Sequence, residues 1–97
     1  MADITKFERE DAEVLLNQLQ QFQKTLQQEW SRVSNQWGNL KSVWLDEQFE
    51  NFEPLFEKLS ATYDDANREC EGYIAFLNRQ IQIDEEREQR LRNRLST

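Results

Sequence analysis

Histidine is absent from this chain, and cysteine, proline and glycine are scarce: one, one and two residues of 97. Without an imidazole there is no Ser-His or Cys-His nucleophile and no Glu-x-x-His pair of the kind that holds a di-iron centre in a helical bundle. The lone Cys70 excludes an internal disulfide and leaves only an intermolecular one open. Because it falls within an apolar stripe with no base to activate it, Cys70 reads as a small packing residue rather than a redox centre. With only Gly38, Gly72 and Pro54 as breakers, no phosphate-cradling glycine loop can be built. No apolar run approaches membrane-spanning length, and the polar stretch Met1 to Glu10 lacks the features of a cleavable secretory signal peptide.

Positive charge is also in deficit. Nineteen Asp and Glu face twelve Lys and Arg, for a net charge of -7, which argues against nucleic-acid binding because the phosphate backbone requires cations to replace its counterions. Arg87, Arg90, Arg92 and Arg94 form a local positive excess near the C-terminal end, read here as a complement to the helix dipole. The acids Asp64 and Asp65, or Asp84, Glu85 and Glu86, are adjacent in sequence, so on a helix they point in different directions. They also lack the alternating spacing and turn glycine of a calcium loop. The expectation is a solvated face, with no metal, no cofactor and no catalytic residue.

What the chain does contain is aromatic and aliphatic periodicity. Phe49, Phe52, Phe56, Leu59, Tyr63, Ala66, Cys70, Tyr73 and Leu77 follow in unbroken steps of three and four, the mark of a long amphipathic helix. Leu15, Leu19, Phe22, Leu26, Trp30, Val33, Trp37, Leu40 and Trp44 do the same upstream. Thr5 and Glu8 have capping-box spacing, which predicts a first helix over about 6–43, a turn at 44–46, and a second helix over about 46–93 capped by Asp46. Gly38 could end the first helix, but the stripe passes through it in register, and an end near Val43 is expected. Taking Phe49 as heptad position a puts Pro54 at f, the outermost position, where a kink disturbs packing least.

The expected architecture is all-α: one antiparallel two-helix hairpin, its second helix on the order of 70 Å long against about 57 Å for the first, so that the C-terminal end overhangs. Beyond Leu77 the strict heptad would turn Gln80, Asp84 and Arg87 inward, so the apolar set is expected to move to Ile74, Leu77, Ile81, Leu91 and Leu95. Leu55, Phe76 and Ile83 at g and Ile74 and Ile81 at e make the apolar face too wide for one partner helix. Two hairpins packed as a four-helix bundle would cover it, as a homodimer or as a heterodimer with a related hairpin. The assembly seam is assigned to Phe49, Phe52, Phe56, Leu59, Tyr63, Tyr73 and Leu77. Trp30, Trp37 and Trp44 recur every seven residues and read as core, with Trp44 set apart because an indole at the turn can keep its ring nitrogen accessible. Trp44, Leu45 and Asp46 are therefore the candidate partner-binding tip.

The segment Trp44-Leu45-Asp46-Glu47-Gln48-Phe49-Glu50-Asn51-Phe52 resembles the turn and second-helix start of the Trp-x-Gly family, small helical hairpins associated with type VII secretion. In that family a turn tryptophan is followed two residues later by glycine and then by a helix with phenylalanine near its start; Trp44, Phe49 and Phe52 fit, and Asp46 stands in the glycine position. No Tyr-x-x-x-Asp/Glu export motif follows: Tyr63 leads to Asn67 and Tyr73 to Leu77. The resemblance implies a non-enzymatic four-helix dimer, export without a cleavable signal peptide, and a secretion-system component as partner. The functional expectation is a protein-protein interaction module of that kind. A cytoplasmic helical scaffold or chaperone-like subunit of a heteromeric complex is the alternative.

Overall fold

The computed structural model describes residues 7–96, in which two helices, α1 (Arg9–Lys41) and α2 (Gln48–Leu95), fold back on each other as an all-α antiparallel hairpin. Helix α1 begins later than the capping box predicts. Phe7 and Glu8 are not helical, and Glu8 itself occupies the N-cap position in an extended conformation with no side-chain cap bond. Glu10 and Asp11 in the first turn complement the dipole of a helix that starts at Arg9. Thr5 lies outside the described residues.

Helix α1 runs through Gly38 and stops at Lys41 rather than Val43. Its last turn closes tightly, with the amides of both Val43 and Trp44 bonded to the Leu40 carbonyl and the Ser42 hydroxyl donating to the Asn39 carbonyl. The connection is thus 42–47, longer than the predicted three residues, and α2 starts two residues later than expected. Pro54 sits inside α2 without ending it. Its missing amide falls in the second turn, where only one intrahelical bond is lost, and its ring is exposed.

The rod measures 77 × 25 × 14 Å with a radius of gyration of 21.9 Å, against about 12.5 Å for a compact chain of this length. Only Ala12, Cys70 and Ile81 are buried among the described apolar residues, each about 8% exposed. The accessible surface of 8263 Å² exceeds the roughly 5,900 Å² typical of a folded monomer of 11.8 kDa. A two-helix layer cannot enclose a core, because every side chain has the partner helix on one side only.

Candidate functional site: an aromatic ladder and an apolar flank

With heptads lettered from Phe49 as a, the strip of α2 that meets α1 is a and e, not a and d. Phe49, Glu53, Phe56, Ser60, Tyr63, Asn67, Cys70, Ile74, Leu77, Ile81, Asp84 and Glu88, spaced four and three apart, are all buried or half-buried. On α1 the matching strip is centred on Leu16, Gln23, Trp30 and Trp37, with Ala12, Leu19 and Leu26 beside it, and Trp44 in the connection continues it. Gln23 turns inward while Phe22 is 52% exposed, an inversion of the hydrophobic reading.

At the turn end the two strips interlock as a ladder of rings. Trp44 meets Phe49 edge-on at 5.7 Å. Trp37 stacks on Phe49 at 5.8 Å and on Phe56 at 4.6 Å, and Trp30 stacks on Phe56 at 5.6 Å and on Tyr63 at 4.8 Å. Each step of seven residues down α1 is matched by a step of seven up α2, so one ring from each helix alternates along the seam. Such pairs contribute about 0.5–1.5 kcal/mol each beyond the area they bury, enough to fix the register of an otherwise open hairpin.

Past Tyr63 the seam becomes polar. Asn67 Oδ1 accepts from Gln23 Nε2 at 3.3 Å and Gln27 Nε2 at 3.1 Å, and the Cys70 thiol donates to the Leu19 carbonyl at 3.8 Å. Ile74, Leu77 and Ile81 then pack inward as the sequence predicts, but Leu91 and Leu95 are exposed. At the open end, Asp84 and Glu88 are instead met by Arg9, whose guanidinium lies 2.7 Å from Glu88 and 3.7 Å from Asp84. Desolvation pulls the Arg9 pKa down, but the hydrogen bond to Glu88 and the charges of Glu88, Asp84 and Glu85 outweigh it and hold the pKa raised.

The a/e seam divides the seven residues assigned to assembly. Phe49, Phe56, Tyr63 and Leu77 lie half-buried inside the hairpin, whereas Leu59 and Tyr73 are 50% and 57% exposed at position d. Phe52, also at d, packs one side on Trp37 and Trp44 and leaves the other open. Leu55 and Phe76 at g extend this exposed line on α2; with Trp30 and Trp37 taken as a on α1, Leu15 and Phe22 at g and Val33 and Leu40 at d form its counterpart there. Because α2 runs opposite to α1, the d and g side of each helix turns to the same flank of the hairpin. At ~150–200 Å² per large side chain, the exposed fractions of these nine residues amount to on the order of 800 Å² of apolar surface on one flank. Its rim carries charges of both signs, among them Glu29, Asp65 and Glu69 and Arg32, Lys58 and Arg79. The b positions of α2, on its other side, carry the exposed acids Glu50, Glu57, Asp64, Glu71 and Glu85.

At the turn, the indole nitrogen of Trp44 is not free. It donates to Asp46 Oδ1 at 2.7 Å, and the same oxygen accepts the Gln48 amide at 2.9 Å. Leu45 is 93% exposed, and with Leu40, Val43, Trp44 and Asp46 it borders a shallow depression of about 580 Å³. Among the described residues no three acidic or cysteine side chains converge on a position that could hold a metal ion, and no helix is long and apolar enough to cross a membrane. No protein family, curated protein or solved structure matches the chain.

Proposed function

We propose that this chain is a non-catalytic protein-interaction module that pairs with a second hairpin through the d/g flank, closing a four-helix bundle. The observation that carries this reading is the flank itself. Side chains such as Leu59, Tyr73 and Phe76 sit at helical spacing on one side, outside the a/e seam, and the flank exposes about the 800 Å² per partner of a specific interface. The mixed rim supports a second copy as the partner, since a flank that carries both signs can set acids against the cations of its own image despite a net charge of -7.

Within that reading, the role we favour is a Trp-x-Gly-like, secretion-linked adaptor or effector partner. Its support is the turn: Asp46, in the place glycine takes in that family, accepts from both the Trp44 indole and the Gln48 amide and so ties the turn to the start of α2. The assembly half is tested by sedimentation equilibrium of the purified chain and of Leu59→Asp. A concentration-dependent dimer that the variant abolishes without loss of helicity supports the proposal, and a wild-type chain monomeric at hundreds of micromolar overturns it. The secretion half is tested by native co-purification and by assay of the culture medium. Recovery of the chain only from cells, without any secretion component, would favour the cytoplasmic scaffold instead.

A further inference from the structure

The helix dipole does not account for all the arginines near the end of α2. Its field acts within the last turn, which holds Arg92 and Arg94, whereas Arg90 and Arg87 lie one and two turns further in. Arg92 is held by Glu88 at 2.7 Å, and Glu88 is also the carboxylate that meets Arg9. Arg87 and Arg90 are exposed and have no ion-pair partner among the described residues, although Glu86 stands four residues before Arg90 in the order that favours such a pair. Arg87, Arg90 and Arg94 follow at steps of three and four, so they share one face, and with Leu91 they border a depression of about 190 Å³. Like charges at that spacing repel and weaken a helix, and for Arg87 and Arg90 no carboxylate of the described residues offsets the repulsion.

We infer that Arg87, Arg90 and Arg94 form a binding site for a small soluble phosphomonoester, whose apolar substituent rests on Leu91. A guanidinium offers paired N–H donors to two oxygens at once. A phosphomonoester dianion has three free oxygens and so can engage more than one arginine, where a carboxylate with two oxygens is satisfied by one. Leu91 is 51% exposed between these arginines and supplies the apolar wall. A phospholipid headgroup carries the same phosphate, but Arg87 and Leu91 also border a second hollow whose other sides are Glu8, Glu10, Asp84 and Glu88. An anionic bilayer would press against those acids, whereas a small ligand touches only the basic side. The site lies beyond Phe76, where the exposed apolar line of α2 ends, and does not depend on pairing through that flank.

The test follows the arginine Nε–Hε signals of the full chain by NMR at constant ionic strength. The two probes are phenyl phosphate, a dianion above its second pKa of about 6, and benzoate, the monovalent carboxylate with the same ring. The expected result is a saturable shift at Arg87, Arg90 and Arg94 with a phenyl phosphate Kd on the order of 1 mM, and binding of benzoate about tenfold weaker or less. Arg87→Gln with Arg90→Gln should keep the far-ultraviolet circular dichroism and weaken phenyl phosphate at least about tenfold, while the remote Arg32→Gln should not. Absence of saturation up to about 20 mM, equal affinity for benzoate, or binding that survives the double substitution overturns the site. Co-sedimentation with phosphatidic acid vesicles that the double substitution abolishes would assign the arginines to a membrane surface and overturn the soluble ligand.

Discussion

The indole of Trp44 and the carboxylate of Asp46 are joined by a 2.7 Å hydrogen bond across the turn, and the accepting oxygen is the one that caps the amide of Gln48 at the start of α2. One side chain thereby orients the last ring of the aromatic ladder and satisfies an otherwise unpaired donor of the helix that follows.

Replacing Asp46 by Ala removes both bonds and should cost about 1–2 kcal/mol. Trp44→Phe removes only the donor and should cost less, about 0.5–1.5 kcal/mol beyond any packing change. Urea denaturation of the two single variants and the double variant gives the coupling. Strictly additive effects would show that the observed bond contributes nothing in solution.

Tyr63 and Leu59 lie one helical turn apart and have different roles. Tyr63→Ala removes a ring stacked on Trp30 and should lower hairpin stability by about 3 kcal/mol. Tyr63→Asp should unfold the helices, whereas Asp64→Asn, on the exposed b side, should have little effect. Leu59→Asp should leave the far-ultraviolet circular dichroism unchanged and abolish association. Loss of helicity in the Leu59 variant would place that residue inside the hairpin.

Asn67 bridges Gln23 and Gln27 at the middle of the seam. Asn67→Ala should destabilise by about 0.5–1.5 kcal/mol. Gln23→Ala should be milder, since Gln27 still reaches the same oxygen. Thermal unfolding of the two variants compares them, and a larger loss in Gln23→Ala would show that Gln27 does not hold the contact alone.

Gly38 has a helical backbone with nothing within 4 Å of the position a Cβ would occupy. Gly38→Ala should therefore stabilise the chain by about 0.5–1 kcal/mol through lower entropy of the unfolded state. A lower thermal midpoint in this variant would mean that the position is covered in the assembled protein.

Arg9 ties α1 to Asp84 and Glu88. Arg9→Ala should increase amide exchange in the first turn of α1 and around residues 84–88 while leaving the aromatic ladder protected, and high salt should produce the same pattern in the wild type. Uniformly faster exchange along both helices would show instead that the open end and the ladder unfold together.

The helical content and the single chain reversal follow from the sequence because each is a local property: steps of three and four select a helix, and the polar Asp46 precedes a fresh apolar run. The N-cap of α2 is Glu47 rather than Asp46, whose carboxylate accepts the Gln48 amide from one residue further back. Trp30, Trp37 and Trp44 could be assigned to a core because their spacing of seven keeps them on one face. Periodicity could not decide which edge of a wide apolar face meets α1. Phe52, Leu59 and Tyr73 at d and Ile74 and Ile81 at e are all one helical step from the a line, and hydrophobicity ranks d above the Ser60 and Asn67 found at e. The tertiary structure chose a and e because the fit of Trp30 and Trp37 between Phe56, Tyr63 and Phe49 sets the rotation of both helices. That rotation carries Gln23 and Asn67 inward as a bonded pair and leaves Leu59, Tyr73 and Phe76 on the outside. The apolar content determined that two helices cannot cover every large side chain, and only the packing of the two helices decided which side stays exposed.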